Sequence, residues 1–315
     1  MSDLRVEEAS VEDAPAVCRV IHAAFGNRPR LDPASSALSE TPETVGDAIA
    51  TDGGLLCRVD GEPAGALLFS DLGRSQGLRR VGAVPHFQAR GVASALVGVA
   101  EEIGAARGYD GVEVIARLEL PATIRFWERR GYVEVARLDT RITMGKELPA
   151  ELLATTVDDT RAAGERLAAI LRRGDVVLLT GELGAGKTTL TQGLGAGLKV
   201  RGDVTSPTFV ISRVHPSLDH GPVLLHVDAY RLGDAAELDD LDLDAYVGEA
   251  VTVVEWGEGI ADALSPDRLH VHLARERGLL GAGESEDRRV ITVSAVGSRW
   301  YGTGLRSTML GQDGR

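Results

Sequence analysis

The stretch of sequence that decides the fold is GELGAGKT at residues 181–188, which directly follows the apolar run VVLL at 176–179. The apolar run is typical of a buried strand, and the glycine-rich segment after it is typical of a loop that leads into a helix. Backbone N–H groups of such a loop point inward at phosphate oxygens, and the positive end of the following helix dipole adds to the attraction. The order and spacing predict a phosphate-binding loop (P-loop) for a nucleoside triphosphate.

Two side chains at the end of this segment add a positive charge and a metal-binding hydroxyl to the loop. Lys187 is expected to reach the β- and γ-phosphates as a catalytic residue, and the hydroxyl of Thr188 is expected to bind Mg²⁺. The chain has three lysines in all, so an accidental match requires a rare residue at one particular place. The predicted ATP-binding residues are Gly181, Gly184, Ala185, Gly186, Lys187, Thr188 and Thr189.

Two carboxylates end further apolar runs in the second half of the chain. Asp228 follows PVLLHV at 222–227, and Glu255 follows VV at 253–254. P-loop proteins place a carboxylate at the C-terminal tip of a strand, where it supports magnesium or orients the attacking water. We therefore predict Asp228 and Glu255 as catalytic and metal-binding residues, and the sequence does not rank one above the other.

A polar segment and an aromatic residue accompany these carboxylates. The segment TSPTF at 205–209 follows the predicted P-loop helix, where a P-loop protein can place hydroxyls that sense the γ-phosphate. Its predicted switch residues are Thr205, Ser206 and Thr208. A simple turn into a strand at 208–214 is the alternative interpretation. Trp256 is predicted to stack on a base or to contact a partner protein.

Together these elements resemble the TsaE family, the ATPases of bacterial tRNA threonylcarbamoyladenosine biosynthesis. The matching motifs are GELGAGKTT at 181–189, TSPTF at 205–209, HVDAYRL at 226–232 and VEWGE at 254–258. The resemblance covers residues 150–297 and implies an ATPase that binds ATP and Mg²⁺. It also implies partners of the TsaB and TsaD types, which transfer threonylcarbamoyl to the adenosine beside the tRNA anticodon. A P-loop kinase that phosphorylates a small molecule is the alternative function.

Charge and composition limit the partners and the compartment. The net charge of −13 argues against a broad basic surface for nucleic acid, so tRNA is expected to be held mainly through partner proteins. The beginning of the chain has no apolar signal core, and no apolar run reaches membrane-spanning length. The two cysteines, Cys18 and Cys57, have no metal or redox spacing. A cytoplasmic protein without membrane contact is expected.

The first half carries a different anion-binding pattern, PHFQARGVA at 85–93, between a predicted strand and a predicted helix. Such a loop exposes backbone N–H groups at a helix start to a pyrophosphate. With FWERRGY at 126–132 and MGKEL at 144–148, it resembles the GNAT acetyltransferase family across residues 3–148. The resemblance implies acetyl-coenzyme A bound in a V-shaped cleft between strands. The implied cofactor-binding residues are Val81, Ala83, Gln88, Arg90, Gly91, Val92 and Ala93.

One position departs from the GNAT pattern. Many members of that family have a tyrosine where Trp127 stands, and its hydroxyl reprotonates the leaving thiolate. An indole N–H is far too weak an acid for this role, and His86 is the one candidate base near the loop. An active N-acetyltransferase and a non-catalytic module that binds coenzyme A or serves as a scaffold both stay open, and the sequence does not name the acetyl acceptor.

The order of predicted elements gives an α/β fold with two domains. A chain of 315 residues is long enough for two domains of average size. We predict a GNAT-like mixed α/β sheet domain over 1–148 and a P-loop NTPase-like α/β sandwich over 149–300. Residues 301–315 are expected to be a disordered tail, and helices are expected near 234–240 and 257–264.

Overall fold

The computed structural model describes most of the chain, which divides into two compact units, residues 1–148 and 149–314. Each unit has its own sheet and its own apolar core. The described residues are 3–29, 32, 35–207, 210–231, 248–257, 259, 264–275 and 288–312.

The first unit is a mixed sheet with helices. Its strands lie in the order β1-β2-β3-β4-β5-β7-β6, and within this order only β4 and β5 run parallel to each other. Besides short 3₁₀ turns, its elements are β1 (Leu4–Glu8), α1 (Ala14–Gly26), α2 (Pro42–Thr51), β2 (Gly54–Val59), β3 (Glu62–Asp71), β4 (Ser75–Ala83), α3 (Val92–Ala106), β5 (Gly111–Arg117), α4 (Pro121–Glu128), β6 (Val133–Leu138) and β7 (Arg141–Glu147).

The parallel pair β4–β5 separates part-way along its length. Residues 75–78 of β4 pair with 111–114 of β5, but both strands continue beyond these pairs. The register between β3 and β4 shifts at this level, so Arg80 and Val81 together oppose Leu67. Arg80 has a φ of 56°, as a residue in a bulge can have. Beyond these pairs the C-terminal ends of β4 and β5 are not hydrogen-bonded to each other as strands.

The second unit is built on a sheet whose centre is parallel. Its order is β10-β11-β12-β9-β13-β14-β8, in which β11, β12, β9 and β13 run in the same direction. Besides short 3₁₀ turns, its elements are β8 (Ala150–Ala154), α5 (Val157–Ala168), β9 (Val176–Thr180), α6 (Lys187–Gly197), β10 (Ser212–His215), β11 (Val223–Asp228), β12 (Ala250–Glu255), β13 (Arg268–Arg275), β14 (Arg289–Val296) and α7 (Leu305–Leu310). The predicted α/β fold class is confirmed for both units.

Burial explains why the central strands read as continuous apolar runs. Residues 176–179 of β9 are all fully buried, and so are residues 250, 251, 253 and 254 of β12. In β9, Val177 and Leu179 join a different apolar cluster from Val176 and Leu178. A strand covered on both faces has no polar face, so alternation is lost. The parallel strands bring their C-terminal ends to one edge of the sheet.

The helices α5 and α6 lie against each other at unusually short range. A Cβ atom placed on Gly193 of α6 would lie 1.9 Å from the carbonyl oxygen of Arg161 on α5. A Cβ on Gly164 of α5 would lie 2.2 Å from the carbonyl oxygen of Leu190. Contact between the two helix backbones therefore fixes the position of α6, the helix that follows the P-loop.

Two expectations from the sequence differ from the structure, and one strand was not predicted. The strand expected at 208–214 begins at Ser212, because Val210 and Ile211 donate to the carbonyl of Pro207 and form a turn. The tail expected to be disordered contains α7, whose Leu305 and Met309 are fully buried against the core of the second unit. Strand β8 pairs with β14 at the edge of the sheet and was not expected.

Other expectations fall outside the described part of the chain. The helix near 234–240 lies wholly there, and so does most of the helix near 257–264. Across the described ranges, no helix combines the length and the apolar character needed to cross a lipid bilayer.

Candidate functional site

The predicted P-loop lies between β9 and α6, at the C-terminal edge of the parallel strands. Residues 181–186 connect the two elements, and α6 begins at Lys187. Gly186 has a φ of 107°, a conformation that an L-residue with a Cβ rarely adopts. This turn places the backbone N–H groups of the first turn of α6, including those of Thr188 and Thr189, at the loop. The local geometry is that of an anion site.

Lys187 is a buried cation held by the loop itself. Its Nζ donates hydrogen bonds to the carbonyl oxygens of Gly181 at 2.7 Å and Glu182 at 3.1 Å. Only 5% of the residue is exposed, and this burial lowers the pKa of its ammonium. The nearby carboxylates of Glu255 and Asp228 oppose the shift. A bound phosphate would supply further negative charge to the same ammonium.

The two predicted carboxylates stand side by side at the ends of neighbouring parallel strands. Asp228 of β11 is directly opposite Glu255 of β12 in the register, and both are at least 95% buried. The hydroxyl of Thr188 donates to Oε1 of Glu255 at 3.1 Å. The structure therefore brings Lys187, Thr188 and both carboxylates to one place, although they are far apart in sequence.

The donor set suits Mg²⁺. A hydroxyl and one or two carboxylates, completed by substrate phosphates and water, are the oxygen ligands that Mg²⁺ prefers. Since Thr188 donates its hydrogen to Glu255, its oxygen keeps lone pairs for a cation. Within the described residues there is no cluster of three or more histidine, cysteine or carboxylate side chains that could form a self-sufficient metal cage.

Trp256 lies over the lysine. Nζ of Lys187 is 3.7 Å from the centre of the indole ring, within the range of a cation–π contact. The φ of Trp256 is 62°, a strained value for a bulky residue, and its backbone N–H donates to the carbonyl of Leu179. The exposed ring of Tyr230 stands edge-on at 5.7 Å. The predicted contact of Trp256 with a base or a partner stays a prediction.

The predicted switch segment is described in part. Thr205 and Ser206 are exposed, and the hydroxyl of Thr205 accepts a hydrogen bond from Arg213. Gln192 on α6 donates to the carbonyl of Val204 at 3.2 Å, which ties this segment to the P-loop helix. Thr208 lies outside the described residues. The switch role of these three residues stays a prediction.

In the first unit, the loop before α3 has the geometry of a second anion site. Ala89 and Gly91 have φ values of 61° and 83°, and Val92 begins the helix directly after them. Gln88 and Arg90 are exposed beside this turn, and Ala93 lies in the first turn of α3. The implied positions Val81 and Ala83 lie on the part of β4 that has separated from β5.

The aromatic residues of the first unit serve its core. Trp127 is 2% exposed and packs against Tyr132 with ring centres 4.8 Å apart. Burial raises the pKa of the Tyr132 phenol well above its usual value. His86 is exposed in the 3₁₀ turn at Pro85–Phe87, close to the N-terminus of α3. The structure leaves His86 as an accessible candidate base, and Trp127 has a packing role.

Comparisons with known proteins agree with the P-loop site of the second unit. The family model for the threonylcarbamoyl adenosine biosynthesis protein TsaE matches residues 154–282. The tRNA threonylcarbamoyladenosine biosynthesis protein TsaE of Streptomyces coelicolor is 57% identical over 141 residues, 44% of this chain and 93% of that protein. The protein of the same name from Bacillus subtilis is 41% identical over 144 residues, 45% of this chain and 84% of that protein. The chain belongs to the TsaE family.

A second family matches the part of the chain that precedes the TsaE match. The model of the acetyltransferase (GNAT) family matches residues 27–132. A crystal structure of PaiA N-acetyltransferase from Thermoplasma acidophilum in complex with coenzyme A is 15% identical, with a TM-score of 0.42. That likeness covers 46% of this chain and 99% of the other. Both predicted resemblances are confirmed: residues 27–132 match the GNAT family, and residues 154–282 match the TsaE family.

Two arginines that the sequence did not single out hold the TsaE P-loop from outside. Nε of Arg289 on β14 donates to the carbonyl of Ala185 at 2.8 Å, and Arg289 is 6% exposed. Nη2 of Arg275 on β13 donates to the carbonyl of Gly184 at 2.8 Å. Arginine is common throughout this chain, so residue type gave no signal. The sequence offered one hint of their contact with the loop: both lie at ends of strands that follow the P-loop in the chain.

Arg289→Ala should weaken ATP binding about tenfold, because a buried loop carbonyl loses a charge-assisted hydrogen bond of about 1.5 kcal/mol. Calorimetry with ATP and Mg²⁺ measures the change. Arg161→Ala, which removes an exposed side chain paired with Asp158, is the matched control and should bind ATP normally. Equal affinities of the Arg289 variant and the native chain would contradict a supporting role.

Proposed function

We propose that the second unit is a Mg²⁺-dependent ATPase that supports threonylcarbamoyl transfer to the adenosine beside the tRNA anticodon. The observation that carries this proposal is the meeting of Lys187, Thr188 and Glu255 at the P-loop. The hydrogen bond of Thr188 to Glu255 at 3.1 Å joins the P-loop helix to the end of β12. The identity to curated TsaE proteins supports the biological context.

The chemistry follows from what each group can do. The N–H groups of the loop and of the first turn of α6 bind the phosphates, and Lys187 turns from the loop carbonyls to the β- and γ-phosphates. Mg²⁺ supplies charge neutralisation for the phosphates when it is bound. Thr188 offers its oxygen to the cation, and Glu255 orients Thr188. Asp228 adds a second carboxylate at the same edge, where attacking water can be held.

We propose that this ATPase acts through partners of the TsaB and TsaD types, which carry out the transfer and grip the tRNA. The net charge of −13 supports this division of labour, because sequence-independent binding to RNA depends on basic surface. The exposed Leu183 at the tip of the P-loop and the exposed Tyr230 beside Trp256 offer apolar contacts next to the ATP site.

For the first unit we propose an acetyl-coenzyme A-dependent N-acetyltransferase. The left-handed turn at Gly91 before α3 and the end of strand pairing between β4 and β5 after residues 78 and 114 support this proposal. The pyrophosphate would lie at the turn formed by residues 88–93, and the pantetheine arm would run along the backbone of β4 near Val81 and Ala83. His86 is the accessible group that could accept the proton of an amine.

The test of the proposed ATPase is genetic. A strain that lacks this protein should lose threonylcarbamoyladenosine from its tRNA, and residues 149–315 alone should restore it, because every TsaE motif lies after Leu148. The same fragment with Lys187→Ala should not restore it. Mass spectrometry of nucleosides from bulk tRNA measures the outcome.

Persistence of the modification in a deletion strain without a second copy of the gene would contradict the proposal. ATP consumption by the isolated protein that rises with a metabolite, in the absence of partners, would instead indicate a small-molecule kinase.

The test of the first unit uses ligand-induced stabilisation. Acetyl-coenzyme A at 100 times its Kd should stabilise residues 1–148 by about 2.7 kcal/mol, because a ligand that binds only the folded state shifts the unfolding equilibrium. Thermal unfolding of the full chain measures this shift. Hydrogen exchange of peptides from α3 monitors the unfolding of the first unit. Gly91→Asp should abolish it, since a carboxylate would face the pyrophosphate.

Gly91→Asn is the matched control for that variant. It imposes the same strain at a φ of 83° but adds no charge, so it should retain most of the shift. A native chain that shows no stabilisation at millimolar acetyl-coenzyme A would indicate a module that does not bind the cofactor.

A further inference from the structure

A buried histidine of β11 contacts the carboxylate that orients Thr188. The side chain of His226 is fully buried, and its Nε2 lies 2.9 Å from Oε1 of Glu255. The same oxygen accepts the hydrogen bond from Thr188 at 3.1 Å. Three side chains from β11, β12 and α6 therefore meet at one carboxylate oxygen.

The direction of these hydrogen bonds follows from the chemistry of the groups. An ionised carboxylate only accepts hydrogen bonds, so the contact places a hydrogen on Nε2 of His226. The other ring nitrogen, Nδ1, has no hydrogen-bond partner among the described residues. The contact with Glu255 is thus the polar interaction that holds the imidazole.

The two contacts also determine how Glu255 is turned. Both hydrogen bonds that its side chain makes within the described residues go to Oε1. With Oε1 engaged by two donors, rotation of the carboxyl group about its last torsion would break both bonds. Oε2 is then the oxygen left to face a hydrated cation or the attacking water.

We infer that His226 is a positioning residue for ATP hydrolysis: it holds Glu255 in the orientation that orients Thr188 and presents Oε2 to the reacting groups. This inference rests on the proposed ATPase function. His226 does not touch the nucleotide; it acts through Glu255. Second-layer partners of ligating groups commonly contribute 10–100-fold in activity or metal affinity, which sets the expected size of the effect.

The register of the sheet supplies a matched control. His215 of β10 pairs with Leu224, two residues before His226 on β11, so both histidines lie on the same face of the sheet. His215 is also buried, at 4% exposure, and its Nε2 has no hydrogen-bond partner among the described residues. Replacing it perturbs the same region of the core without touching Glu255.

The experiment compares His226→Phe, His226→Gln and His215→Phe in the full chain, assayed with TsaB- and TsaD-type partners. His226→Phe keeps a ring but removes the donor, and should lower kcat about 10–100-fold with a smaller change, a rise of about threefold, in KM for ATP. His226→Gln returns an N–H donor at a similar reach and should restore kcat to within about fivefold of the native value. His215→Phe should behave as the native chain.

Three results would overturn the inference: a His226→Phe variant with native kcat, a His226→Gln variant as impaired as His226→Phe, or an equal loss in His215→Phe. The last result would indicate a general packing effect.

A second readout separates this inference from the proposed ATPase function. Calorimetry measures the affinity for ATP with Mg²⁺ and with EDTA, which needs neither partners nor turnover. In His226→Phe, the ratio of the ATP affinity with Mg²⁺ to the ATP affinity with EDTA should be at least about threefold lower than in the native chain. The affinity with EDTA should stay native. A native chain that binds ATP and Mg²⁺ but never hydrolyses ATP would contradict the ATPase proposal, and the binding comparison would still decide the role of His226. A native chain whose affinity does not depend on Mg²⁺ would overturn both.

Discussion

Lys187→Ala is expected to lower the affinity for ATP by at least about 100-fold, which corresponds to about 2.8 kcal/mol. The reason is that Lys187 is the buried cation of the P-loop, where its charge is poorly screened by water. Its loss removes the cation that we propose as the partner of the β- and γ-phosphates. Calorimetry with ATP and Mg²⁺ measures the change.

Lys199→Ala is the control for this experiment. Lys199 is an exposed lysine just after α6, paired with Asp219 on the surface, so its removal should leave ATP affinity unchanged. Circular dichroism should show that both variants are folded. Native affinity in folded Lys187→Ala would contradict the assignment of the site.

Gly193→Ala is expected to destabilise the second unit by about 2 kcal/mol. Alanine in place of glycine inside a helix normally adds up to about 1 kcal/mol of stability. Here the added Cβ would lie 1.9 Å from the carbonyl oxygen of Arg161, so α5 and α6 must move apart. Overpacking of this kind costs about 1–3 kcal/mol and more where backbone blocks relaxation, so the clash outweighs the helix propensity.

The same substitution at Gly98 separates these two effects. Gly98 lies inside α3, and a Cβ there would have no neighbour within 4 Å. Gly98→Ala should therefore stabilise the first unit by about 0.5–1 kcal/mol. Hydrogen exchange during urea titration follows each unit by its own peptides, and the midpoint for α6 should fall by about 1 M in Gly193→Ala. An unchanged midpoint would show that the helices separate without cost.

The sequence predicts the P-loop well because the information there is local. The buried strand β9, the glycine at position 186 and the first turn of α6 are neighbours in sequence, and their geometry follows from residue type and spacing. The position of the two carboxylates at the edge of the sheet was also predictable, since each ends a buried parallel strand. Two parallel strands in one sheet necessarily bring such ends to the same edge.

The features of the site that the sequence did not predict depend on contacts between segments that are distant along the chain. The hydrogen bond between Thr188 and Glu255 spans 67 positions, and the contact of His226 with Glu255 spans 29. No spacing rule within one sequence relates such residues. For the same reason Arg289 was not recognised, because it reaches the carbonyl of Ala185 across 104 positions.

The sequence failed to predict the edge strand β8 and the helix α7 for a different reason. The strand β8 buries only its terminal residues, Ala150 and Ala154, so it lacks a strong apolar pattern. Helix α7 is six residues long and flanked by Gly304 and Gly311, which made this segment read as a tail. Burial of Leu305 and Met309 in the core outweighs that local tendency.

Helices α3 and α6 both begin directly after a glycine in the left-handed conformation, at Gly91 and Gly186. At each place the groups expected to face an anion are amides of the peptide bond, which every amino acid except proline supplies. The backbone therefore sets the shape of both loops, and single side chains such as Lys187 add charge to that shape. A substituent at either glycine would therefore alter the shape of the chain itself, whatever side chains surround the loop.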